Sequence, residues 1–266
     1  MMSEVIVITS GKGGVGKTTT VANLGTALSL ENRRTVVVDA DIGLRNLDVV
    51  MGLENRIVYD IVDVVEGTCK LKQALIKDKR FENLYLLPAA QTRDKNAVSV
   101  EQMNQLCEKL KETFDYVIID CPAGIEQGFR NAIAGADRAI VVTNPEVSAV
   151  RDADRIIGLL EANEINDIRL VINRIRPDMV KRGDMMDKQD IVEILAIELL
   201  GIVPDDESII ISTNKGEPAI LDVKSSAGRA YKNIAQRILG NNIPIQEIET
   251  ETNFFGKIKR IFGVAK

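Results

Sequence analysis

Two textures of hydrophobicity alternate along the chain. Short runs such as Val5-Ile6-Val7-Ile8 and Val36-Val37-Val38 are apolar at every position, the pattern of strands buried on both faces of a parallel sheet. They predict strands at residues 4–9, 35–39, 84–88, 116–120, 139–143, 169–173 and 201–204. Longer stretches between them carry apolar residues every three or four positions and predict helices at 18–30, 100–111, 148–161, 188–199 and 227–239. In the second of these, Met103, Leu106, Cys107 and Leu110 share one face. Strands alternating with helices imply a single α/β domain, a mainly parallel twisted sheet covered by helices on both faces.

The turn after the first predicted strand is Gly11-Lys12-Gly13-Gly14-Val15-Gly16-Lys17-Thr18, which matches G-x-x-x-x-G-K-[ST], a phosphate-binding loop between a strand and a helix. Glycines let backbone N–H groups turn toward phosphate oxygens, and the helix start adds unpaired donors and a positive dipole end. Lys17 is expected to reach the β- and γ-phosphates, and the Thr18 hydroxyl to join the shell of a Mg²⁺ ion. Thr19 completes the candidate nucleotide contacts. Gly11, Gly13 and Gly16 also satisfy the dinucleotide pattern G-x-G-x-x-G, but that turn has no use for Lys17 and Thr18. A nucleoside triphosphate is the better reading.

Ligands of open parallel sheets sit beyond the carboxyl ends of the strands, so polar residues there matter most. The second predicted strand ends in Asp39-Ala40-Asp41, and Asp41 is the candidate for orienting the attacking water or contacting the Mg²⁺ shell. Tyr116-Val117-Ile118-Ile119-Asp120 has the form of the second acidic strand of such nucleotidases, its carboxylate bonded to magnesium-bound water. Cys121 reads as a small loop residue.

Composition narrows the partners. A formal net charge of −5 gives no general attraction for nucleic acid, and no apolar run approaches the roughly 20 residues of a spanning helix. Three scattered cysteines and no histidine argue against a disulfide framework or a His/Cys metal cluster and for a reducing compartment. The first strand begins too early to leave room for a secretory signal, so a cytoplasmic protein is expected.

The last residues differ in character. An ATPase-like body at 1–240 is followed by a polar, acidic spacer at 241–253 and a final segment at 254–266. On a helix, Phe254, Phe255, Ile258, Ile261, Phe262 and Ala265 form one stripe, with Lys257, Lys259, Arg260 and Lys266 on the remainder and no acid among them. That pattern describes a helix lying in an anionic membrane interface. Each cation near such a surface contributes about 1 kcal/mol, so one tail attaches weakly. Two tails on one dimer multiply attachment by roughly 10²–10⁴ through effective concentration.

Lys12 is not required by a generic phosphate loop, and a second lysine on its own triphosphate duplicates Lys17. It suits a finger reaching across a two-fold interface. The string Lys-Gly-Gly-Val-Gly-Lys-Thr resembles the deviant Walker A loop of the family that contains the plasmid-partition ParA ATPases, the MinD septum-site ATPases, nitrogenase iron protein and the arsenite-pump ATPase. Three further segments, residues 39–48, 120–126 and 143–148, resemble the MinD branch, and the likeness extends over nearly the whole chain. The resemblance implies ATP and ADP as ligands with Mg²⁺, a slow ATPase stimulated by a partner, and an ATP-sandwiched homodimer. It further implies Lys12 acting in trans and Asp41 positioning the hydrolytic water, with Asn173 and the Pro204-Asp205-Asp206 loop flanking adenine. MinC-like and MinE-like regulators, with Arg151 and Asp152 as possible contacts, and a peripheral place on the cytoplasmic face of the inner membrane come with it. The alternative is a ParA-type partition ATPase on nucleic acid or other cargo, which the acidic balance and the tail disfavour. A metabolic enzyme on the same fold lacks the paired cysteines or added pocket it needs.

Overall fold

Among the described residues eight strands form: β1 (Glu4–Thr9), β2 (Thr35–Asp39), β3 (Ile76–Lys77), β4 (Leu84–Leu87), β5 (Tyr116–Asp120), β6 (Arg138–Thr143), β7 (Ile168–Ile175) and β8 (Glu198–Pro204). In this computed structural model, which describes residues 3–94 and 96–245, they make one sheet of order β3-β4-β2-β5-β1-β6-β7-β8. Every pairing is parallel except that of β3 with β4. The α/β architecture expected from the apolar runs is the one observed.

The helices are α1 (Lys17–Leu30), α2 (Leu47–Met51), α3 (Ile61–Val65), α4 (Leu71–Ala74), α5 (Val100–Lys111), α6 (Gln127–Ile133), α7 (Val147–Ala162), α8 (Pro177–Arg182), α9 (Lys188–Leu195), α10 (Glu207–Asn214) and α11 (Ser226–Ile238). Side chains along each strand alternate between two cores, as a pleat of period two requires. Val5, Val7, Val117 and Ile119 face the layer of α5, α6, α7 and α9. Ile6, Ile8, Val37 and Ile118 face α1, α2 and α11. Both faces are dry, which is why these strands read as unbroken apolar runs.

The structure departs from the sequence reading in places. The helix expected over 188–199 stops at Leu195, because Ala196 turns into the left-handed region with φ 52°. Leu199 then pairs with Leu170 as part of β8. Two-residue β3 and the seven-residue α6 are too short for periodicity to register. The last helix ends at Ile238, and residues 241–245 follow without regular structure.

Candidate functional site

The central strands β2, β5 and β1 finish at one level, since Asp120 is in register with both Asp39 and Ile8. Above them the glycine loop joins β1 to the start of α1. Gly16 carries φ 102°, a left-handed conformation strained for any residue with a Cβ, and a Cβ there would collide with the Asn173 amide. No acidic residue occupies the first turn of α1, so its positive end is left for an anion. The Lys17 side chain is buried and its Nζ donates to Ser10 Oγ at 3.0 Å, while Ser10 Oγ donates to the Lys12 carbonyl at 2.8 Å. Asn173 Nδ2 donates to the Val15 carbonyl at 2.7 Å, bracing the loop from β7.

Three carboxylates converge beneath this loop. Asp39 is buried, and its two oxygens accept from the amides of Asp41 at 2.9 Å and of Asn46 and Leu47 at 3.2 Å each. It therefore shapes the loop that presents half-buried Asp41, a structural task its position in the sequence did not reveal. Burial pushes the Asp39 carboxyl up to about 7, against the pull of its backbone hydrogen bonds. Asp120 is raised well above the usual carboxylate range by burial and then by the charge of Asp39. The Thr18 hydroxyl and the Lys17 ammonium act in the opposite direction. Asp120 Oδ1 is buried without a hydrogen-bond partner among the described residues.

Two mutually repelling carboxyls, one with an unmatched oxygen beside the Thr18 hydroxyl, fit a divalent cation completed by phosphate and water. Mg²⁺ is usually held by one or two carboxylates plus substrate oxygens rather than by an all-protein cage. Among the described residues there is accordingly no group of three or more Cys, Asp or Glu arranged to hold a metal alone. Cys121 is buried with its thiol pushed up to about 12 by burial, an inert loop residue.

Beside the loop, toward β7 and β8, a cleft of about 710 Å³ opens. Gly16, Thr19, Asn173, Pro204 and Asp205 line it, and Tyr231 of α11 closes its base. The Tyr231 hydroxyl lies 3.3 Å from Thr20 Oγ1, tying α11 to α1. Asp206 accepts hydrogen bonds from Ser208, Ser226 and the amide of Ala227, which hold its carboxyl well below the usual range although burial opposes them. That network pins the α10 loop to α11. Local sequence carries no signal for Ser10, Tyr231 or the hydrogen bonds of Asp206, although the Pro204-Asp205-Asp206 loop is expected at the site.

The structure gathers Gly11, Gly13, Gly14, Val15, Gly16, Lys17, Thr18, Thr19, Asp41, Asp120, Asn173, Pro204 and Asp205 on one edge. Lys12 lies at the rim, exposed, with its Nζ 3.5 Å from Glu146 Oε2 of the same chain. An exposed pair of this kind is worth about 0–1 kcal/mol and is readily exchanged. The Asp152 backbone sits so close to Gly11 that a Cβ there would strike it, and Arg151 beside it is exposed. Phe254, Phe255, Lys257, Ile258, Lys259, Arg260, Ile261 and Phe262 lie outside the described residues.

Comparison with known proteins agrees with this geometry. The model of the AAA domain family matches residues 3–174. The septum site-determining protein MinD of Bacillus subtilis is 64% identical over 266 residues, covering 99% of each chain. The MinC:MinD cell division protein complex of Aquifex aeolicus superposes with a TM-score of 0.87 at 50% identity, covering 92% of this chain and 99% of that one. MinD of Pyrococcus horikoshii complexed with Mg-ADP gives a TM-score of 0.82 at 30% identity, covering 91% and 100%. A phosphate-binding loop over two acidic strand ends, in a chain that matches these proteins over nine-tenths or more of its length, places it in the MinD family of septum site-determining ATPases.

Proposed function

We propose that this ATPase works as a nucleotide-gated membrane switch, with residues 1–240 as engine, 241–253 as tether and 254–266 as lipid-binding helix. The observation that carries the nucleotide half is the unmatched Asp120 oxygen beside Lys17 and Thr18, a set of groups complete only with a metal-bearing phosphate. Thr18 and Asp120 would hold Mg²⁺, which when bound neutralises charge on the phosphate oxygens. Lys17 moves from Ser10 to the phosphates. Asp41, presented by the Asp39-centred loop, orients the attacking water. Adenine enters the cleft between Asn173 and Pro204-Asp205.

Lys12 exchanges Glu146 for the phosphates of a second copy, so that ATP joins two protomers and hydrolysis releases them. Two tails then act together on anionic lipid. Turnover is slow until a regulator completes the site. The Aquifex relative was solved with MinC, which supports a MinC-like partner, and the family resemblance supports a MinE-like one.

Sedimentation of the full-length protein with phosphatidylglycerol vesicles tests the scheme. Recruitment is expected with ATP and not with ADP, and Ile261→Glu should abolish it while leaving nucleotide affinity unchanged. Equal pelleting with both nucleotides, or a DNA shift in its place, would overturn it. Lys12→Ala should bind ATP within about threefold of wild type yet remain monomeric by light scattering, and an ATP dimer of this variant would refute the role in trans.

A further inference from the structure

The turn that follows β3, the edge strand of the sheet, reads Asp78-Lys79-Arg80-Phe81. Asp78 is buried, and its carboxylate accepts from the Arg80 amide at 3.0 Å and from the guanidinium Nε and Nη2 at 3.0 and 2.7 Å. A bidentate pair of this kind fixes the plane of the fork. The remaining donors turn to two helix ends. Nη1 donates to the Gly216 carbonyl at 2.8 Å, and Nη2 also donates to the Met51 carbonyl. Met51 is the last residue of α2, and Gly216 lies just past the end of α10. Carbonyls at helix ends lack partners within the helix and carry the negative end of its dipole, so one guanidinium answers both.

The two ends also touch each other. Gly52 and Gly216 take φ of 64° and 66°, and a Cβ on Gly52 would stand 2.7 Å from the Gly216 carbonyl oxygen. Only residues without side chains can cross so closely. α2 and α10 are therefore clasped at their C-terminal ends. Asp78 fastens the clasp to the sheet, its amide donating to the Leu84 carbonyl at 2.9 Å.

At their other ends the same helices meet the two sides of the nucleotide site. α2 has five residues, about 7.5 Å, and begins at Leu47, whose amide donates to the Asp39 carboxylate that also holds the amide of Asp41. α10 has eight residues, about 12 Å, and follows Pro204-Asp205-Asp206. Glu207, Ile209 and Ile210 of α10 line the cleft itself. Short helices carry a displacement from one end to the other, and the clasp passes it between them.

We propose that Arg80 is a positioning residue for hydrolysis: by clasping α2 to α10 it lets a base seated in the cleft fix the place of Asp41. The coupling rests on the reading above, with adenine in the cleft and Asp41 orienting water. Binding of the base, remote from the bond that breaks, thereby improves the geometry of attack as well as affinity. A residue that merely stabilised the turn would act on the free and the liganded protein alike.

Hydrogen–deuterium exchange with millimolar adenosine isolates the effect, because adenosine has base and ribose but nothing to reach the phosphate loop. In the wild-type protein it should slow exchange over residues 204–216 and, through the clasp, over 41–52, by about threefold or more. In Arg80→Lys, which keeps the cation but not the fork, protection at 204–216 should remain and that at 41–52 should vanish. Wild-type protection at 204–216 without any at 41–52 overturns the coupling and leaves the adenine reading standing. No protection at 204–216 removes the adenine reading, and the coupling with it. Protection at 41–52 that survives in Arg80→Lys overturns the assignment to Arg80. Steady-state turnover gives a second arm: Arg80→Lys should lower kcat for ATP about tenfold while ADP affinity stays within about threefold. A kcat within about twofold of wild type, or an equal loss of kcat and ADP affinity, overturns the positioning role. Should Arg80→Lys lose its fold by circular dichroism, Asp78→Asn, which weakens one anchor of the fork, is read in the same two ways.

Discussion

The two sides of the nucleotide site are built on different principles. On the phosphate side, β2, β5 and β1 pair in unbroken parallel register and end in the glycine loop, Asp39 and Asp120. On the cleft side, β7 and β8 slip register twice, between Leu170 and Val171 and between Ile172 and Ile175, and Arg174 takes φ 57°. Phosphate is gripped by backbone amides, which demand a contiguous loop of fixed dihedrals on a rigid base. The cleft is assembled from segments near residues 173–178, 204–210 and 231, brought together by tertiary packing and by long-range hydrogen bonds such as those of Asp206 and Tyr231. Val171 faces the α1 side, so the pleat of β7 carries Asn173 to that same face, where it meets the Val15 carbonyl, before the strand turns irregular beyond it.

Gly16 borders both sides, so its substitution is the hardest test of the contrast. Gly16→Ala places a methyl where φ is 102° and Asn173 stands, and titration calorimetry should show ATP and ADP affinity falling at least about 100-fold, roughly 2.7 kcal/mol. Affinity kept within tenfold would mean that the loop is far softer than its dihedrals indicate. Asn173→Ala removes the brace on the Val15 carbonyl and leaves a buried acceptor unmatched, at a cost of about 1–2 kcal/mol. ATP and ADP should both bind roughly five- to thirtyfold more weakly, because the brace acts on the loop. Loss confined to one of them would assign the residue elsewhere.

The smallest effect concerns the nucleotide-free protein. Both Asp39 and Asp120 titrate above an unfolded carboxylate near 4, so the fold disfavours their ionised forms. Stability from this source is complete below about pH 4 and is lost as pH rises through the folded values, for Asp39 about 7. Asp120→Asn removes the repulsion, and the melting temperature should rise by about 2–4 °C at pH 8 and hardly at all at pH 5. With Mg-ATP the sign should reverse, since the variant forfeits the metal contact. A pH-independent gain would show that packing, not charge, is responsible.

Legibility divided along the same line. Gly11 to Thr18, Asp41 and Asp120 could be named from local strings, because strand ends and glycine turns are encoded within about ten residues. Lys12 could be singled out, but its resting contact with Glu146 joins residues 134 positions apart in the chain. Nothing local separates the role of Asp39 from that of Asp41, because a carboxylate that organises a loop and one that faces a ligand look alike in sequence. The overlong helix at 188–199 arose since Leu199 continues the helical spacing, whereas pairing with Leu170 draws it into the sheet.

Residue order alone settled the layered α/β plan, the phosphate loop and the amphipathic character of the tail, because strand burial, glycine dihedrals and helical stripes are short-range properties. Folding in three dimensions decided which carboxylate braces and which faces the site, and where Asn173 and Tyr231 act. Those arrangements come from distant segments meeting at one sheet edge, where burial and close charges change what each group can do.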